Sequence, residues 1–195
     1  MRLSRCLALL AITAALLACG PVGSGEVVSE PREVGDFGSI QVSGGIDLVL
    51  TVDGGADPSV TVVYDENLLD RIETVVDGGT LVIRSRGSFS VLSPGRRVEV
   101  TTTTLEELSS SGGSDVEGSG AVDSLVLGAS GGSDIDLSNL AVGSLVVTTS
   151  GGSDVTVNVT DEIVGDASGG SNLTILGEPS IQRVNVSGGA EVRNR

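Results

Sequence analysis

One phrase returns five times in the second half of the chain: Ser-Gly-Gly, a small residue, an acid or amide, and an aliphatic residue. It starts at Ser111 (SGGSDV), Ser130 (SGGSDI), Ser150 (SGGSDV), Ser168 (SGGSNL) and Ser187 (SGGAEV), so the copies begin at nearly constant intervals. Paired glycines at a fixed interval mean that one sharp turn, needing positive φ or close backbone approach, is made once per repeat. Between the turns lie two short alternating stretches. The first follows the glycines (135–137, 155–159, 173–175), and the second closes the interval (125–127, 145–147, 184–186). Two strands and two turns in about 19 residues amount to one coil of a parallel β-solenoid. The expected fold is therefore all-β, with a parallel β-helix in the C-terminal half. An antiparallel β-sandwich with hairpins of similar length is the competing arrangement.

Upstream of the repeats, from Val34 to about Thr104, short alternating runs read as strands at 46–52, 59–64, 72–76, 81–84 and 98–102. Gly-containing turns separate several of them, at 53–55, 77–79 and 94–95. Residues 65–72 could form a short helix with Asp65 as its N-cap.

The segment 1–18 reads as an export signal. Arg2 and Arg5 form a charged start, 7–17 an apolar run too short to span a bilayer, and Leu16-Leu17-Ala18-Cys19 a lipobox-like site. Cleavage there leaves Cys19 as the sole thiol, so the mature chain has no disulfide, and acylation of Cys19 gives that thiol a use. Residues 19–33 are expected to be a flexible tether, with an N-terminal strand on Val27 and Val28 as the alternative. The domain proper then spans 34–195. The partner implied by Cys19 is a lipid bilayer. Gly20, rather than an aspartate, follows the cysteine, which favours an outer membrane or cell-surface location for this exported lipoprotein.

Charge and composition exclude several functions. The formal net charge is −15, with no His or Trp and only Tyr64, Phe37 and Phe89 as aromatics. Such a surface repels nucleic acid and offers no stacking platform for bases. Without His there is no Ser-His-Asp triad and no His-metal site. Without Lys there is no Schiff-base or phosphate-loop chemistry.

The SGGSD-type repeats, the stretch Phe37-Gly38-Ser39-Ile40-Gln41-Val42 and the apolar runs at Leu68-Leu69 and Leu81-Val82-Ile83 resemble the head-GIN domain of bacterial autotransporter-type adhesins. The resemblance covers about 34–195. It departs at 101–108, where Thr-Thr-Thr-Thr-Leu-Glu-Glu-Leu stands in place of a proline before the leucines. The resemblance implies a right-handed β-helix at the bacterial envelope.

Stacked coils would put equal positions of each phrase in columns about 4.8 Å apart. Val116, Ile135, Val155, Leu173 and Val192 should point inward, and Asp115, Asp134, Asp154, Asn172 and Glu191 outward. Glu117, Asp136, Thr156, Thr174 and Arg193 form a second outward column. Asp115, Glu117, Asp134, Asp136 and Asp154 would crowd one patch and are candidate Ca²⁺ ligands, since carboxylates at this spacing repel by about 1 kcal/mol per pair in water. The other reading is a solvated or turn-capping face, with no cofactor. Arg84, Arg86, Arg96 and Arg97 either form a basic patch or balance local acids.

These features favour a non-catalytic binding or adhesion module over an enzyme, with an unknown envelope polymer or protein as ligand. A self-assembling structural module joined through open coil ends, hence a homo-oligomer, is the second class. A polysaccharide-active enzyme using the acidic ladder is the third, opposed by the scarcity of aromatic sugar platforms.

Overall fold

Glycine conformation sets the architecture. In the computed structural model, which describes residues 20–91 and 94–195, the first glycine of every phrase has positive φ: 70° at Gly112, 73° at Gly131, 72° at Gly151, 71° at Gly169 and 67° at Gly188. These glycines also lie directly over one another. A Cβ added to Gly151 would come 2.9 Å from the Gly131 nitrogen. The fourth residue explains the recurring serine. Ser133, Ser153 and Ser171 are buried, and each hydroxyl donates back across its own turn to the carbonyl of Ser130, Ser150 or Ser168, at 2.9–3.0 Å.

The fold is all-β, and the described strands join in one 14-stranded sheet. In chain order they are β1 (Val27–Arg32), β2 (Ser39–Ser43), β3 (Leu48–Val52), β4 (Ser59–Asp65), a 3-10 turn (Glu66–Arg71), β5 (Ile72–Asp77), β6 (Thr80–Ser85), β7 (Arg97–Thr102), β8 (Glu107–Ser111), β9 (Asp115–Ala129), β10 (Asp134–Thr149), β11 (Asp154–Ala167), β12 (Asn172–Leu176), β13 (Ile181–Val186) and β14 (Glu191–Asn194). Strands β9, β10 and β11 are long, and register shifts near 136–144 mark where the ladder breaks between their two halves.

Each long strand therefore takes part in two rows. One row runs β5–β6–β2–β8–β9–β10–β11–β13, the other β1–β4–β7–β3–β9–β10–β11–β12–β14. From β6 and β7 onward the neighbours within each row are parallel. Inward columns fill the space between the rows: Ile40, Leu108, Leu127 and Val147 on one side, and Val98, Leu48, Val116, Ile135, Val155 and Leu173 on the other. Each is at most 2% exposed, and burying such a side chain contributes about 1.5–3 kcal/mol. Medium aliphatics suffice because the two rows lie close together.

The N-terminal end of the rows is closed by antiparallel strands: β5 on β6, β4 on β7 and β1 on β4. Residues 27–32, expected to belong to the flexible tether, are strand β1. Upstream of it, Gly23 N donates to Ser90 O at 2.8 Å and Ser24 N to Asn67 Oδ1 at 2.9 Å. The apolar pair Val27-Val28 opens β1, so the alternative to the tether, an N-terminal strand on these two residues, is the one observed over 27–32. The expected helix at 65–72 is the 3-10 turn, and Asp65 makes no side-chain cap. The export signal and Cys19 lie outside the described residues.

At the opposite end the core stops on amides. Gln182 stands in register with Ile163, and Asn194 with Ile175. The two side chains exchange reciprocal hydrogen bonds of 3.2 Å, giving the last inward positions a polar lid. A terminal repeat of a stacked fold needs such a surface.

The glycine column gives a direct test. Gly151→Ala must hold φ near 72° and meet the Gly131 nitrogen, which should cost about 2–4 kcal/mol in a denaturant melt. Gly152→Ala, with no atom within 4 Å of its Cβ, should change stability by less than about 0.5 kcal/mol.

Candidate functional site

The strand registers bring the expected acidic residues together. Asp134 pairs with Asp115 on one side and Asp154 on the other, Asp154 with Asn172, and Asn172 with Glu191. The second column, Glu117, Asp136, Thr156, Thr174 and Arg193, is in register as well. The intervening Val116, Ile135, Val155 and Leu173 are buried, so both acidic columns face outward. The Asp134 carboxyl is pushed above the ordinary carboxylate range, first by partial burial and then by Asp115, Asp154 and Asp136. The ladder is relieved further along, where Asn172 Nδ2 donates to Asp154 Oδ1 at 2.5 Å and Arg193 pairs with Glu191. Among the described residues no three His, Cys, Asp or Glu side chains are arranged to hold a metal ion.

The column extends to a residue that sequence reading overlooked. Ser43-Gly44-Gly45-Ile46-Asp47 is a sixth phrase, and Ser43 pairs with Ser111 while Leu48 pairs with Val116. Ile46 N donates to Ser114 Oγ at 3.1 Å, tying this turn to the next. Asp47 thus stands one step before Asp115, and its carboxyl is raised by burial, Asp115 and Glu117. The signal was present in the sequence. It escaped notice because β4 to β7 are inserted between this phrase and its structural neighbour, so the regular interval is absent. A cleft of about 210 Å³ beside it is lined by Asp47, Arg96, Arg97, Asp115 and Glu117.

The arginines near that cleft are neutralised in place. Arg96 Nε is bonded to Asp65 Oδ2 in a pair that is 3% and 0% exposed. Asp65 also accepts from Gly25 N at 2.6 Å, and Arg96 holds its carboxyl below the usual range. This is why Asp65 does not cap the 3-10 turn: its carboxylate is directed inward. Arg84 and Arg86 both reach Glu73, at 2.5 and 2.7 Å, and hold it down to about 2. Arg97 pairs with Glu99 at 2.5 Å. Of the two readings of this arginine group, local balancing of acids is the one observed. Above the buried pair, burial and Asp47 push the Tyr64 phenol to about 12, and its ring meets Phe89 edge-on at 6.3 Å.

Two measurements follow. Asp65→Asn leaves the Arg96 guanidinium buried without a countercharge and should cost about 3–5 kcal/mol. Asp65 titrates lower in the folded chain than in the unfolded one. Its contribution is therefore complete above the ordinary carboxylate range, about pH 4, and is lost as pH falls below it. Urea melts should show wild type and Asp65→Asn converging in acid; a gap independent of pH would contradict the assignment. At the acidic column, a solvated face predicts that Asp134→Asn raises Tm by about 2–4 °C, since like charges are removed and the amide can donate as Asn172 does. If calcium occupied Asp115, Glu117, Asp134, Asp136 and Asp154, millimolar Ca²⁺ would raise the wild-type Tm and the substitution would abolish that rise.

The sequence matches the family described as "Putative auto-transporter adhesin, head GIN domain" over residues 36–123 and again over 107–179. No curated protein matches it. Among solved structures, a "putative adhesin" from Bacteroides fragilis is 19% identical, with a TM-score of 0.56, and the alignment covers 90% of this chain and 100% of that one. A "putative lipid binding protein" from Parabacteroides distasonis is 16% identical, with a TM-score of 0.43 over 89% of this chain and 98% of that one. A "putative adhesin" from Parabacteroides merdae, 15% identical, has the same TM-score over 89% and 98% of the two chains. The Bacteroides protein shares the fold. With the family pattern running from residue 36 to residue 179, the chain belongs to the head GIN domain family.

Proposed function

We propose that the protein is an exported lipoprotein of the bacterial envelope that works as a non-catalytic binding or adhesion module. Its domain is read as a right-handed parallel β-helix whose coils each span one interval of the glycine phrase. The observation that carries the reading is the set of in-register outward columns over β9 to β12. These hold side chains at fixed spacing on a stiff scaffold, the arrangement that recognition of an extended partner needs. The family description and the Bacteroides protein, itself described as a "putative adhesin", point the same way. So does the chemistry: an acidic surface without His or Lys suits recognition better than acyl or phosphoryl transfer.

Acylation of Cys19 would attach the lipid very close to the fold, because Val22 already bridges to Ser90. The bilayer would then lie beside the end closed by β1, β4 and β5, with the β13–β14 end pointing away. Metabolic labelling with palmitate tests the anchor. Wild type should be labelled and sediment with membranes, and Cys19→Ser should be unlabelled and released. A panel of envelope polymers and matrix proteins, probed with the released chain, tests binding. Saturable binding without turnover is expected, whereas glycan cleavage lost in Asp134→Asn would favour the enzyme reading.

A further inference from the structure

The row containing β8, β9, β10, β11 and β13 has an outer face that the acidic columns do not occupy. Register places Glu107, Val126, Val146, Val164 and Arg183 in one outward column. Val126 and Val146 are 48% and 47% exposed and directly adjacent in register, and it is contiguous rather than scattered apolar exposure that marks a contact face. Their flanking columns carry Ser124 and Ser144 on one side and Gly128 and Thr148 on the other, so the valines stand clear. The two charges that flank the three valines, Glu107 on β8 and Arg183 on β13, are unused. Among the described residues neither Glu107 nor Arg183 takes part in a salt bridge, although most other arginines do.

We propose that this face binds the same face of a second copy, with the two stacks antiparallel. A two-fold axis along β10 would set Val146 on its own counterpart and Val126 on Val164 of the second copy. It would also bring Glu107 against Arg183 of the second copy, twice by symmetry. The neighbouring columns fit the same operation, since Glu162 would face Ser124 and Asp166 would face Gly128, so that no acid meets an acid. The other two-fold arrangement, with stacks parallel, would oppose Glu107 to Glu107 and Arg183 to Arg183, and charge selects against it. Five strands at about 4.8 Å and three columns give a patch of about 400 Å² per copy, small enough that the complex is weak in free solution. The proposal stands on the face alone. If Cys19 is acylated as read above, antiparallel stacks put the two anchors at opposite ends, the geometry for contact between facing surfaces.

Cross-linking of the full chain with a short thiol-to-thiol reagent tests it, with the unsubstituted chain as blank. Val146→Cys should give a dimer by itself. Val126→Cys should not, whereas Val126→Cys with Val164→Cys should. In the Val146→Cys background, Glu107→Arg should lower the dimer yield about ten-fold, and Glu107→Arg with Arg183→Glu should restore it. All of these positions are on the surface, so folding is checked by an unchanged melt. A Val146→Cys chain that folds and gives no dimer overturns the proposal, as does efficient cross-linking of Val126→Cys alone. Cys19→Ser combined with Val146→Cys should cross-link as well as Val146→Cys alone, so failure here leaves the anchoring reading untouched, and release of Cys19→Ser from membranes is scored separately.

Discussion

Backbone-to-backbone stacking at the glycine turns is the constraint on which the rest of the molecule depends. Gly170 N donates to Gly151 O at 2.7 Å and Gly189 N to Gly169 O at 2.6 Å, and a Cβ at Gly151 or Gly169 would come within 3.0 Å of the neighbouring turn's backbone. The turn locks register, and register decides which residues face in. A slip of one residue would turn Ile135 outward and Asp134 into the core, along with every member of their columns. The aliphatic core, the acidic columns and the valine column are three consequences of one alignment.

A stack of this kind has to be ended, since its last strands expose unpaired backbone groups. The two ends do so differently. At the N-terminal end, antiparallel β1, β4 and β5 turn the parallel rows aside, and the Asp65–Arg96 pair is buried beneath them. That pair fixes the junction of residues 23–25, the 3-10 turn and the segment before β7. At the C-terminal end, Gln182 and Asn194 replace the aliphatic members of their columns and satisfy one another. A protein with net charge −15 also keeps its few arginines close to acids, so that most are spent within the chain. Arg183, like Arg71 and Arg195, is among the described arginines that form no salt bridge.

Much of the candidate site was legible because its residues repeat. Asp115, Asp134 and Asp154 follow paired glycines at nearly constant intervals, and a constant interval in sequence becomes a column when successive strands pair in register. Asp47 carries the same preceding phrase but was hidden, since strands β4 to β7 intervene before its neighbour Asp115. Sequence distance reports spatial adjacency only where nothing is inserted. Residues 27–32 could be left open between tether and strand for a related reason: β1 gains its hydrogen bonds from β4, with β2 and β3 lying between them in the chain. Local composition carries no trace of that partner. Asp65 has the right type and place for a helix cap, and an arginine distant in sequence outcompetes that local role.

By itself, the sequence determined the all-β class, the recurrent turn, the inward and outward alternation and the acidic character of the repeats, because each rests on residue type at short range. The tertiary structure alone decided which strand lies beside which, that the phrase at Ser43 joins the stack, and that Asp65 and Arg96 are buried together. It also decided that Glu107 and Arg183 end one column of valines. Those outcomes depend on closing long loops around a shared core, and the pairing energy that selects them is absent until the distant segments meet.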